Sequence, residues 1–188
     1  MKNNGYTHVV VDVLYDFIDG SLACQYTEEA IGESIKYINS HPDQNVLYVC
    51  DCHPQSHCSF KINGGLWPVH CVPGTKGAEI HEKYYSLIDN VKNRPGIKNM
   101  FLKGENPDEE QYSGFDGINK AGEKLSVHLS KNVIVSGIAA EYCIKETCLD
   151  LHKAGYKVYL IEKAMAHIEP EGRVKALKEM KEKGIEII

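Results

Sequence analysis

Three side chains that hydrolytic chemistry uses fall where apolar runs end: Asp12 in VVVDV, Lys103 in MFLKG and Cys143 in SGIAAEYC. A cysteine attacks as its thiolate, and the free thiol has a pKa near 8.5. A helix N-terminus or a neighbouring ammonium favours the anion. Residues 137–142 read as a tight turn that places Cys143 in the first turn of a helix. An aspartate within reach can take the thiol proton and later return it to a leaving amine. Singly, each residue has an ordinary alternative: a core cysteine, a strand-ending aspartate, a solvated lysine. Their common placement at strand ends argues for a joint role.

A second constellation occupies residues 50–60, CDCHPQSHCSF, and residues 67–71, WPVHC. In extended chain Asp51 and His53 point to one side, and Cys50 and Cys52 to the other. Asp51, His53 and His70 therefore form a ligand set for a divalent metal, with His57 as a possible fourth. A carboxylate with imidazoles suits zinc, iron or manganese and leaves positions open for water or substrate. The rival is a structural Cys/His zinc site, although the spacing Cys50-x-Cys52 with Cys58 departs from the usual C-x₂₋₄-C pairs.

The elements that must position these groups follow from the alternation of apolar runs and amphipathic segments. Strands are expected at residues 7–13, 45–50, 99–103, 132–138, 157–161 and 185–188. Helices are expected from Thr27, as a cap, to about residue 39, in a short stretch within 80–90, and at 117–129. Two more are expected, from the Cys143 turn to about residue 154 and over 170–183. This βα alternation predicts a three-layer α/β sandwich. Its mainly parallel sheet of about six strands is covered by helices on both faces, in one domain spanning residues 1–188. In such sheets ligands bind outside the carboxyl ends of the strands, where Asp12, Lys103 and Cys143 would stand.

Composition narrows the classes. The formal net charge is -5, and no run of five or more basic residues suggests a nucleic-acid partner. No apolar run reaches the roughly 18 residues of a membrane span. The polar N-terminus lacks a signal-peptide core, so a cytoplasmic protein is expected. Seven cysteines, an odd number, argue for free thiols rather than a disulfide framework.

The segments VVVDVLYDF, DCHPQSHCSF, LWPVHCVPGTKGAEIH, KGENPDEEQYSGFDG and VIVSGIAAEYCIKETCLDLHKAGYKVYLI occur in this order between residues 7 and 167. Together they resemble the nicotinamidase (pyrazinamidase) branch of the isochorismatase-like cysteine hydrolases. The D-x-H-P-x-x-H-x-S-F segment with the later W-P-x-H-C, and G-I-A-x-x-Y-C, carry most of the resemblance.

The resemblance implies a catalytic triad of Asp12, Lys103 and Cys143 and metal ligands at Asp51, His53 and His70. It also implies a cis peptide before Ala139, which aims the N–H groups of Ala139 and Cys143 at an oxyanion. The implied reaction is hydrolysis of nicotinamide, a step of NAD salvage, through a cysteine thioester. The metal, zinc first with iron or manganese as alternatives, would hold the pyridine nitrogen. Phe17, Trp67 and Tyr112 are the expected walls of a flat substrate slot. A small molecule is the expected partner, with a homo-oligomer possible. Two other readings stand beside this one: a related hydrolase of another small amide or carbamoyl compound, and a non-catalytic metal-binding or redox-sensing protein. The sequence departs from the family pattern at Leu14-Tyr15, where Gln-Asn is usual, and at Cys52, where Trp is frequent.

Overall fold

The computed structural model describes residues 5–188; the first four residues of the polar N-terminal stretch lie outside it. In chain order the elements are β1 (Tyr6–Val11), α1 (Tyr15–Ile18), α2 (Thr27–Ser40), β2 (Asn45–Asp51), α3 (Lys83–Ser86) and β3 (Met100–Lys103). There follow β4 (Ile118–Asn119), β5 (Asn132–Gly137), α4 (Lys145–Lys153), β6 (Lys157–Met165), α5 (Pro170–Glu182) and β7 (Glu186–Ile187). They form one sheet in the order β4-β3-β2-β1-β5-β6-β7. Every pairing is parallel except β3 with β4.

The central strands are apolar on both sides because both sides are covered. Val9 and Val11 of β1 and Leu47 and Val49 of β2 pack in one core with Ile144, Leu151, Ala176 and Met180. Val10, Val46 and Tyr48 pack in the other with Ala30, Ile31, Ile35 and Ile38 of α2. Alternation along each strand thus feeds two helical layers. Among the described residues no helix is long and apolar enough to cross a membrane.

Several expectations are corrected. The sheet has seven strands rather than about six, the addition being the short antiparallel β4. Residues 117–129 do not form the expected continuous helix; only a 3₁₀ turn, Leu125–His128, is helical there. Asn119 Oδ1 accepts from the N–H groups of Ala121 and Glu123, each at 3.0 Å. Such local side-chain bonds compete with helix formation. Gly122 then turns the chain in the left-handed region, and Leu125 donates back to Gly117 O at 2.9 Å. Thr27 begins α2 but is not its cap. The flanking residue is Tyr26, at φ 60°, because Gln25 is held by backbone bonds to His167 at 2.7 and 3.3 Å. Within residues 80–90 only the single turn α3 is α-helical, and β6 runs on to Met165.

The sheet order places a topological switch at β1. The chain builds outward through β2 and β3 on one side and through β5 and β6 on the other. The carboxyl ends of β1, β2, β3 and β5 meet there, as a doubly wound sheet requires of a binding crevice.

Candidate active site

Asp12, Asp51, Lys103 and Cys143 arrive from these four strand ends. Each is at most 6% exposed. Asp12 follows β1 in the left-handed conformation, φ 51°, a region that aspartate tolerates better than most residues. Its N–H donates to Val49 O, and its Oδ1 accepts the Asp51 N–H, both at 2.9 Å. Its Oδ2 faces Lys103 Nζ at 3.0 Å. Lys103 Nζ lies 3.4 Å from Cys143 Sγ and also pairs closely with Asp51. An oxygen of Asp12 and one of Asp51 both lie within 4.8 Å of the Cys143 sulfur. The three residues singled out at strand ends are thus brought together, with Asp51 joining them to the second constellation.

Their protonation follows from burial and neighbours. Burial, reinforced by Asp51 and opposed by Lys103, raises Asp12 to about 7. Burial pulls the Lys103 ammonium down, but Asp12, Asp51 and Cys143 outweigh it and hold the ammonium well above its ordinary value. The Cys143 thiol is pushed well up by burial, against the pull of Lys103. This reverses the lowered thiol pKa that its position in a helix-opening turn suggested. A thiol held up in this way would need a base before it could attack, and Asp12, near neutrality, has the proton affinity for that part.

Cys143 lies in a single π turn, Ala140–Ile144, that leads into α4. Such turns recur at functional sites. The peptide between Ile138 and Ala139 is cis. Ala140 donates to Ala166 O at 2.9 Å, and Tyr142 and Ile144 donate to Ala139 O at 3.2 and 3.1 Å. These three amides are committed within the protein. Gly137 (φ 129°) starts the turn, and a Cβ there would stand 2.0 Å from Val11 O, so only glycine lets β5 lie this close to β1.

Asp51, His53 and His70 each offer a ligand atom within 4.8 Å of the others, and all three are buried. His70 Nδ1 is 2.8 Å from Pro68 O, which leaves Nε2 for the site. His53 has both ring nitrogens buried without a hydrogen-bond partner. Burial lowers its pKa to about 4, so the ring is neutral at physiological pH, the form that can bind a metal. A Cβ at Gly104 would fall 2.3 Å from His53 Nε2, so the glycine after Lys103 makes room for this imidazole. The donor set fits a divalent cation. His57 stacks on His53 at 4.1 Å and binds Ser59 through Nδ1 at 2.7 Å, outside the convergent trio. Among the described residues neither convergent group includes Cys50, Cys52, Cys58 or Cys71, so the rival Cys/His zinc site is not assembled.

A pocket over Cys143 and the trio is lined by Phe17, Trp67 and Tyr112, the three expected aromatics, and by Leu22, Glu110, Tyr142 and Ile168. Trp67 Nε1 donates to Tyr112 OH at 3.1 Å, and Tyr142 stands edge-on to Trp67 at 5.1 Å. Phe17 packs on His70 at 5.5 Å. Sequence reasoning missed Asp16, whose Oδ2 accepts the Cys71 N–H at 2.7 Å and so fixes the strap that carries His70. It also missed Glu110, which sits in the acidic run 108–110 and reads as solvated loop. Tyr142 could have been found from its place beside Cys143. Leu14 is fully buried and bridges Ile80, so its departure from the family pattern lies in the core rather than in the pocket lining.

Residues 6–188 match the isochorismatase domain. The chain is 30% identical to the nicotinamidase/pyrazinamidase of Mycobacterium tuberculosis over 189 residues, covering 96% of each chain. It superposes on a pyrazinamidase of Pyrococcus horikoshii in complex with zinc with a TM-score of 0.83, at 35% identity and 98% coverage of both chains. With the yeast nicotinamidase bound to the inhibitor nicotinaldehyde the TM-score is 0.79, at 28% identity, covering 97% of this chain and 99% of that one.

Proposed function

We propose that this chain, which belongs to the isochorismatase domain family, hydrolyses nicotinamide to nicotinate and ammonia. The observation that carries the reading is the junction of two sites at Asp51. Its backbone N–H holds Asp12 and its carboxylate pairs with Lys103, while the same carboxylate belongs to the trio with His53 and His70. Nucleophile and metal ligands are thereby fixed relative to one another under one aromatic slot.

In this mechanism Asp12 takes the proton of Cys143. Lys103, bracketed by both, balances the charge that moves between them. The thiolate attacks the carboxamide carbon, and the oxyanion is met by the N–H groups of Ala139 and Cys143. Asp12 returns the proton to the departing ammonia, and a thioester to Cys143 remains. A water that gives its proton to Asp12 then attacks the thioester carbonyl. Nicotinate leaves and the thiol is restored. Trp67, Tyr112, Tyr142 and Phe17 hold the flat ring and exclude bulk water. Asp51, His53 and His70 would hold one divalent ion, which the donor set allows to be zinc, iron or manganese and the zinc complex of the Pyrococcus relative favours as zinc; when bound it would supply a Lewis-acidic anchor for the pyridine nitrogen.

Ammonia release from nicotinamide by zinc-loaded and by chelated protein tests the reading. Turnover that falls on chelation and returns with zinc is expected. No ammonia from the zinc-loaded protein would overturn it.

A further inference from the structure

Acyl transfer needs its nucleophile and oxyanion donors held closely, since a displacement of about 1 Å can cost roughly 10²-fold in rate. The Cys143 turn is tied to the sheet at its start. Ile138 donates to Val11 O at 2.9 Å, Ala166 to Gly137 O at 3.0 Å and Ala140 to Ala166 O at 2.9 Å. Beyond Ala140 the chain leaves the sheet, and the next tie comes from a side chain. Glu141 Oε1 accepts the N–H groups of Ile168 and Glu169, at 2.9 and 2.6 Å.

Those two amides stand just before α5, whose flanking residue Glu169 makes no side-chain cap of its own. Glu141 therefore places a carboxylate at the start of that helix from another part of the fold, where orphan N–H groups and the helix dipole favour an anion. Gly172, in the first turn of α5, makes the room. A Cβ there would lie 2.6 Å from Glu141 Cγ and 3.0 Å from Oε1. The segment that Glu141 grips also carries Ile168 into the pocket wall. Gln25 holds it from the far side, donating through Nε2 to Ile168 O at 2.9 Å and through its backbone to His167 O at 2.7 Å.

From this geometry we infer that Glu141 is a positioning residue that fastens the nucleophile turn to the loop walling the substrate pocket. The activity arm of its test rests on the proposed amidohydrolase reading. Glu141 reaches the reaction through its chain neighbours Tyr142 and Cys143 and through Ile168, all of which line the pocket. Asp12 and Lys103 are held by other contacts, to Asp51 and to each other.

Zinc-loaded wild type, Glu141→Ala, Glu141→Gln and Gly172→Ala are compared by nicotinamide turnover and by amide hydrogen exchange. Glu141→Ala should lower kcat/KM roughly 10²-fold and speed exchange in both 139–144 and 168–169. Glu141→Gln keeps an accepting oxygen and should recover most of the loss. Gly172→Ala replaces glycine inside a helix, which on propensity alone stabilises. Here it should instead lower kcat/KM and loosen both segments, and it preserves the test if Glu141→Ala folds poorly. Faster exchange confined to 168–169 would overturn the inference. So would undiminished turnover in Glu141→Ala and Gly172→Ala, or a glutamine variant no better than alanine. Should wild type release no ammonia, the amidohydrolase reading fails, and the exchange pattern still decides whether Glu141 couples the two segments.

Discussion

β1 carries one buried polar cluster at its amino end and leads into another beyond its carboxyl end, and the two have opposite characters. At the amino end His8 is wholly buried, with Nε2 2.8 Å from Ser136 Oγ, which is itself 3.0 Å from Ser34 Oγ. Every member is neutral, since burial pushes His8 down to about 3. Four residues on, Asp12 is equally buried but stands among Lys103, Asp51 and Cys143. There burial raises the aspartate to about 7. Burial is the largest influence in both cases. At His8 it expels the proton far from the working range. At Asp12 competing charges leave proton affinity near neutrality, where a group can take and return a proton. Burying polar groups is thus not the mark of the site; opposed charges that keep them titratable are.

The largest expected effect breaks the charged cluster at its sulfur. Cys143→Ala should reduce ammonia release by roughly four orders of magnitude or more with little change in melting temperature. Mass spectrometry of a slowly turned-over amide should find the acyl adduct on Cys143. An adduct elsewhere, or near-normal turnover in the variant, would remove the nucleophile assignment. Next in size is Asp12→Asn, which cannot exchange a proton with the thiol and should lose about 10²–10⁴-fold. Lys103→Ala should raise the pH midpoint of Cys143 alkylation, because the ammonium favours the thiolate. An unmoved midpoint would take lysine out of the mechanism.

A smaller effect is expected where the cluster meets the candidate metal trio of Asp51, His53 and His70. His53→Ala should lower bound metal and nicotinamide turnover together, whereas Cys50→Ser and Cys58→Ser should leave metal content intact. Benzamide keeps the amide but lacks the ring nitrogen and should be a much poorer substrate. Equal turnover of benzamide and nicotinamide would sink the anchoring role, and metal lost with Cys50 or Cys58 would revive the structural Cys/His site.

The two clusters also differ in how far the sequence discloses them. Asp12, Lys103 and Cys143 are legible because each ends a strongly apolar run, and the topology of a parallel sheet gathers strand ends at one edge. Asp51 and His53 are legible through the alternation of an extended chain. The link between Lys103 and Asp51 is not, since it depends on β2 and β3 being paired in register at those residues. Glu141 and Asp16 escape notice for a similar reason: their partners lie 27 and 55 residues away and are backbone amides, which every residue type offers. The failed helix at residues 117–129 shows local chemistry overriding periodicity. Ile118, Ala121, Leu125 and Leu129 keep helical spacing, but Asn119 and Gly122 close a turn between them. His8 reads as one more strand residue, and only its pairing with Ser136, 128 residues away, reveals a polar cluster in the core.

That hidden cluster supplies the smallest expected effect, on stability rather than on turnover. His8 has its pKa lowered from 6.5 to about 3, chiefly by burial with a minor push from His41. In the unfolded chain it takes up a proton near 6.5, while the folded chain refuses that proton down to about 3. Between these values the unfolded state binds more protons, so stability rises with pH by up to about 1.4 kcal/mol per unit from this residue. The contribution is fully present above 6.5 and drains away as the pH falls toward 3. At pH 5 the loss relative to pH 8 should be about 2 kcal/mol. His8→Asn can still bond Ser136 but has no proton to gain, so its denaturation midpoints should fall less steeply on the acid side, although it starts from a lower value. Carboxylates titrate in both proteins, and the difference between the two curves isolates His8. Parallel curves would mean that the folded protein accommodates a charged His8. A variant that also lost turnover at pH 7.5 would join the two clusters into one functional unit and end the distinction between them.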